Sequence, residues 1–188
     1  MTRVLPGTST RSAGAASLPP IQWAGNLSLV NKQALIGKIV AQLTAELGVY
    51  YKAARAAHAE ATHEQSKAES KYDTRGLEAS YLARGQSKQA AEIEASIAEF
   101  RSLPVREFTP TDEIDVGAIV ELGSGRERNF YFIGSRAGGT EVMHEEIEVL
   151  VITPQSPLGQ QIVGKKKGDR VKLQVAGRTT DYKIVTVI

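Results

Sequence analysis

Residues 36–61 read IGKIVAQLTAELGVYYKAARAAHAEA, and their spacing decides the architecture. Apolar positions step by four and three through Ile36, Val40, Leu43, Leu47, Tyr50, Ala54, Ala57 and Ala61. That stepping is an a/d heptad register, which keeps one narrow stripe facing a partner helix. The seam shrinks from Ile and Leu to Ala along the chain, so the helices can approach closely toward the far end. Lys38, Glu46, Lys52, Arg55 and Glu60 take the outward positions, as a solvated face requires.

A partner is available downstream. From about Leu77 to Leu103 the apolar positions include Leu77, Tyr81, Ala90, Ile93, Ile97, Phe100 and Leu103. Pro104 ends this second helix, because proline donates no backbone hydrogen bond and restricts its predecessor. Gly85 weakens it by about 1 kcal/mol relative to alanine. The heavy apolar residues lie near Ile36 and Leu103, the outer ends of the pair, so the two helices are expected to fold back on each other. The bend then falls near Lys67 to Asp73. A first helix of about 35 residues extends roughly 50 Å, too far to be buried in a small domain. Such an arm projects, and it needs a partner or a channel; an oligomerisation hairpin is the competing explanation.

After Pro104 the pattern changes to period two. IVEL (119–122), FYFI (130–133) and IEVLVIT (147–153) read as strands, separated by Gly-Ser-Gly at 123–125 and the Gly-rich 137–139 segment. Val171, Leu173 and Val175 alternate with Arg170, Lys172 and Gln174, and TDYKIVTVI closes the chain as a last strand. One helix interrupts them. Ser156 is its N-cap, Pro157 takes the permissive first position, and Leu158, Ile162 and Val163 can face the sheet. Gly164 stops it and Gly168–Asp169 turns the chain. The expected unit is α+β, an antiparallel sheet of about five strands against one short helix.

Composition narrows the classes. The chain of 188 residues is 41% hydrophobic and 23% charged, so most of it should fold. It lacks cysteine, which excludes disulfides and thiolate zinc sites and fits a reducing, cytoplasmic setting. No apolar run spans a bilayer, so no membrane partner is expected. A net charge of +2 does not by itself predict a nucleic-acid binder. Residues 1–30 contain no acid and little periodicity, and lack a secretory h-region. They are expected to be a disordered tail, or to precede a natural start near Val30. The domain plan is therefore 1–30 tail, 31–104 coiled-coil finger and 105–188 C-terminal domain.

The segment TPQSPLGQQIVGKKKGDRVKLQVAGRTTDYKIVTVI (153–188) resembles the C-terminal domain of the GreA/GreB transcript cleavage factors, in its S-P-L-G helix start, its G-K-K-x-G-D turn and its two closing strands. With the preceding hairpin in the right order, the resemblance covers about Asn31 to Ile188. It implies an FKBP-like C-terminal fold, docked at the rim of the RNA polymerase secondary channel. It also implies a finger reaching the catalytic metal, a monomeric state, and no active site of the factor's own. Ser156, Pro157 and Leu158 become candidate docking residues. Tip carboxylates would hold a Mg²⁺ ion shared with polymerase and orient the water that cuts nascent RNA. The chain departs from the family at that tip. Aligning Gly76–Leu77–Glu78 with the family's Asn-Ala-Glu puts Tyr72 and Arg75 where its two acids belong. Centring the hairpin by length favours Glu69 and Asp73 as catalytic and metal-holding residues within the polymerase complex, and Glu64 if the turn is shifted. Lys67, Lys71 and Arg75 lie among these acids and would oppose Mg²⁺.

Three other readings compete. A Gre-like protein without correctly placed acids would occupy the channel and regulate or inhibit. A peptidyl-prolyl isomerase would need an apolar pocket, for which the domain offers Phe108, Phe130, Tyr131, Phe132 and Tyr182; fold alone does not assign function. A zinc protease is disfavoured, since His58 and His63 are five apart and lie on different helix faces. All three histidines, His144 included, are expected at the surface. The run Lys165–Lys167 reads as a solvated turn or as a contact for RNA or polymerase.

Overall fold

In a computed structural model of the chain, residues 31–62, 75–175 and 178–188 are described. The expected tail over 1–30 lies outside them. Helix α1 runs Lys32–Thr62 and α2 runs Arg75–Ser102. Asn31 starts α1: its side-chain oxygen accepts the Ala34 N–H at 3.1 Å and its carbonyl accepts that of Leu35 at 3.0 Å. At 1.5 Å per residue, α1 is roughly 46 Å long. The helices are antiparallel: the start of α1 (Leu35, Ile36, Ile39, Leu43) and the end of α2 (Ile93, Ile97, Phe100) share one core, and farther along α1 the Tyr51 hydroxyl donates to Glu94.

The C-terminal part contains β1 (Ile119–Ser124), β2 (Glu127–Ile133), β3 (Glu141–His144), β4 (Ile147–Ile152), the short α3 (Gly159–Ile162), β5 (Arg170–Val175) and β6 (Arg178–Val187). The six strands form one sheet in the order β3-β4-β2-β1-β6-β5. Two expectations are corrected. The sheet is mixed rather than antiparallel, because β2 and β4 pair in parallel, Phe130 opposite Val149 through Ile133 opposite Ile152. The 134–146 connection makes this possible, carrying the chain through β3 before it returns beside β2. Among the described residues the strands number six rather than about five, because β3 shows too little apolar alternation to stand out in the sequence.

Each sheet face has its own core. On one, α3 and the segment before β1 cover Val120, Leu122, Ile133, Ile152, Val171, Leu173 and Ile184, with Phe108, Ile114 and Ile162 filling the gap. On the other, Leu35, Ile36, Ile39 and Leu43 of α1 and Ile93, Ile97 and Phe100 of α2 pack on Ile119, Phe132, Val149 and Val151. The hairpin is thus fixed to the sheet by its base. Farther out, the sheet no longer covers it, and Val49, Tyr51, Tyr81 and Leu82 are exposed. Tyr81 had been placed in the seam. Stepping back from Ala90 by four and three reaches the half-buried Gln86 and Ala83 instead, which leaves Tyr81 66% exposed. Among the described residues, no helix is long and apolar enough to cross a membrane.

Candidate functional site

The sequence-predicted docking residues sit where β4 gives way to α3. Ser156 donates its hydroxyl to the Thr153 carbonyl at 2.7 Å and accepts the Gly159 N–H at 3.0 Å. The Gln160 N–H reaches the Ser156 carbonyl at 2.9 Å, so Ser156 closes the turn that leads into α3, while the N-cap position of the helix itself is Leu158 and carries no side-chain cap. Gly159 has no room for a side chain, because a Cβ there would lie 1.9 Å from the Thr153 carbonyl oxygen. This close approach turns the chain sharply and places Ile162 in the core. Leu158 is half-buried against the same core, and Pro157 is exposed on the crest. Of the three candidates, then, Pro157 is exposed, while Ser156 and Leu158 are half-buried and also serve the fold.

The root of the hairpin is the second notable region. The Phe100 and Phe132 rings meet at 5.9 Å between centroids. Glu99 accepts from Arg136 Nε at 2.9 Å and from the Ser135 hydroxyl, tying α2 to the loop after β2. Lys38 of α1 donates to the Met143 carbonyl of β3 at 2.9 Å. At the far corner the Lys32 ammonium donates to the Arg106 carbonyl, and Lys32 and Arg106 stack on Phe108 from 4.7 and 4.6 Å. Burial holds the Lys32 amine below its usual range, with Glu107 opposing that shift. These contacts fix the angle at which the two helices leave the sheet.

His144 corrects the expectation that it lies at the surface. It is 2% exposed, at the end of β3, and neither ring nitrogen has a hydrogen-bond partner. The turn that follows places Glu145 and Glu146 at φ 47° and 67°, left-handed conformations costly for side chains other than glycine. Burial depresses the His144 pKa. Glu145, with Oε1 3.7 Å from Nε2, opposes this, and Lys38 adds to it. His58 is exposed as expected, and His63 lies outside the described residues.

Glu64, Glu69 and Asp73, proposed from the sequence as catalytic and Mg²⁺-holding, also lie outside the described residues. Among the described ones, no group of three or more His, Cys, Asp or Glu residues is placed to hold a metal ion. The aromatics considered for an isomerase pocket are dispersed. Phe108, Phe132 and Tyr182 are core residues, whereas Phe130 and Tyr131 line an open groove of about 560 Å³ shared with Arg126, Glu127, Arg128, Glu146 and Glu148.

Comparison with known proteins bears on this arrangement. Residues 109–188 match the profile of the family described as transcription elongation factor, GreA/GreB, C-term. The chain is 30% identical over 99 residues to transcription elongation factor GreA of Methylococcus capsulatus, covering 51% of this chain and 58% of that protein. It is 29% identical over 79 residues to the GreA of Streptococcus pyogenes, covering 40% and 45%. The chain therefore spans about half the length of the curated relatives it matches. Among solved structures, it is similar to GreA factor homolog 1 of Thermus thermophilus, with 22% identity, coverage of 79% of this chain and 94% of that one, and a TM-score of 0.34. It is also similar to the GreA/GreB elongation factor of Nitrosomonas europaea, with 20% identity, coverage of 50% and 78%, and a TM-score of 0.33.

Proposed function

We propose, from the premise that residues 109–188 belong to the GreA/GreB family of transcription elongation factors, that this chain binds bacterial RNA polymerase at its secondary channel. The observation that carries the reading is the rigid joint: a family domain holds the base of a two-helix rod through the Leu35–Ile39–Phe100–Phe132 core. A rod held this way delivers its bend to a fixed distance from the docking domain. Pro157 and the half-buried Leu158 are the proposed docking contacts, with Ser156 holding the turn that presents them. The chain works as a monomer in the cytoplasm and has no active site of its own. Carboxylates between α1 and α2, Glu69 and Asp73 first and Glu64 next, supply oxygen ligands to a Mg²⁺ shared with polymerase and promote cleavage of backtracked nascent RNA.

A second reading is a regulator that occupies the channel without cutting. It is favoured by Lys67, Lys71 and Arg75, interleaved with those acids, whose charge opposes Mg²⁺ binding. Transcript cleavage in stalled, backtracked complexes, with and without the protein, separates the two. Cleavage above polymerase alone, reduced by Asp73→Asn with binding retained, supports the first. Binding without added cleavage supports the second, and absence of binding removes both.

A further inference from the structure

Charge is divided within the C-terminal domain. Residues 165–188 carry seven lysines and arginines against two acids, whereas residues 105–164 carry four against ten. The strand ladder turns this imbalance into a surface. Val171, Leu173, Tyr182 and Ile184 are buried in the α3-side core, so alternation directs Arg170, Lys172, Asp181 and Lys183 to the other face. There Arg170 lies opposite Lys183, Lys183 opposite Gly123, and Gly123 opposite Arg128. With strands about 4.8 Å apart, this row crosses four strands in roughly 14 Å. Lys167 is exposed in the turn leading into β5, three residues before Arg170, and Lys172 lies two pairs farther along the ladder, opposite Asp181.

The fold does not account for this row. Like charges directly opposite on a sheet are destabilising, yet Arg170 faces Lys183. Among the described residues Lys167, Arg170, Lys172 and Lys183 make no ion pair. Edge protection explains Arg170 and Lys172, because charges on an outer strand discourage pairing with another chain. It does not explain Lys183, which sits on β6 between β1 and β5. Arg128 is neutralised by Glu121 at 3.2 Å and Lys166 faces Glu113 at 3.7 Å, so these two border the patch. The helices leave the sheet past Arg136 to Glu141, at the other end of β2 from Arg128, and the row stays open.

We infer that the Lys167–Arg170–Lys172–Lys183 surface binds the phosphate backbone of single-stranded RNA. Its four cations carry no aromatic platform among them, so recognition is by charge and independent of base sequence. The choice of RNA rests on the polymerase reading above, since RNA is the strand that partner synthesises.

The test is fluorescence anisotropy of a labelled single-stranded RNA with the full chain across a salt series. Four phosphate contacts give a slope of log affinity on log salt of about −3. The Arg170→Gln/Lys183→Gln variant should bind roughly tenfold more weakly at low salt, with the slope shallower by about 1.4. Its melting temperature should not fall, because a like-charge pair has been removed. Glu141→Gln/Glu148→Gln, on the far edge of the sheet, should bind as the parent does. No RNA binding by the parent, unchanged binding by the variant, or tighter binding of duplex DNA of equal length overturns the inference. Polymerase association is followed in parallel by sedimentation. Loss of polymerase but not RNA by the variant makes the row a protein contact and also overturns it. A parent that does not bind polymerase refutes the functional reading, while the RNA titration still decides the row.

Discussion

Replacing His144 by leucine should stabilise the protein, and the size of the gain follows from its surroundings. Both imidazole nitrogens are buried without a hydrogen-bond partner; Nε2 has the Glu145 carboxylate 3.7 Å away, so the cost that folding must offset is essentially that of one unsatisfied buried group at Nδ1, about 1–3 kcal/mol. Leucine fills a similar volume and has no polar atom to desolvate. His144→Leu should therefore gain about 1–3 kcal/mol at pH 7.5, the lower end if the packing against α1 has to adjust. The effect should grow in acid. The folded state holds the His144 pKa below its usual 6.5 through burial, with Lys38 reinforcing and Glu145 opposing. The unfolded chain thus binds more protons, and stability falls as pH drops from about 6.5 toward the folded-state value, by at most about 1.4 kcal/mol per pH unit. The variant should lack this slope. Urea unfolding of both proteins at pH 7.5 and 5.5 measures both quantities. A variant less stable than the parent at pH 7.5, or one with the parent's full acid slope, would refute the reasoning.

Three further outcomes are expected. Gly159→Ala should cost at least about 2 kcal/mol in urea unfolding, because its Cβ would lie 1.9 Å from the Thr153 carbonyl and backbone must move. Phe100→Ala should cost about 3–5 kcal/mol, since this side chain is 3% exposed and packs on Phe132 at the base of the hairpin. Gly85→Ala should raise α2 stability by about 1 kcal/mol, read as greater amide-exchange protection, because open space surrounds that position.

The hairpin was legible because its signal is periodic and long. Ile36, Leu43, Ala57, Ile93 and Ile97 are buried as their spacing requires. Leu35 and Ile39, both fully buried, were not recognised, because they form a second stripe that faces the sheet and a heptad reading retains only one. The α3 turn was legible through Ser156 and Gly164, whose roles are local, whereas the reason for Gly159, its close approach to the Thr153 carbonyl, emerged only from the fold. Strand β3 was missed because Glu-Val-Met-His shows one apolar residue inward and leaves Met143 59% exposed; its other inward residue, His144, looks like a surface residue. The parallel β2–β4 pair was missed because direction depends on where a connection returns, which strand alternation does not encode. The row of cations was hidden for a related reason: Arg170, Lys183 and Gly123 are distant in sequence and meet only through ladder register.

Because the chain contains no cysteine, one probe can be set at one chosen position, and this permits the most direct test. An iron chelate on a Glu69→Cys variant, bound to a stalled polymerase complex, would generate hydroxyl radicals wherever the bend resides. The account predicts cutting of the transcript close to its 3′ end, and none from the same chelate on Glu141→Cys, at the sheet edge opposite the cationic row. A complex that forms stably yet shows no cutting near the 3′ end from Glu69→Cys would contradict it.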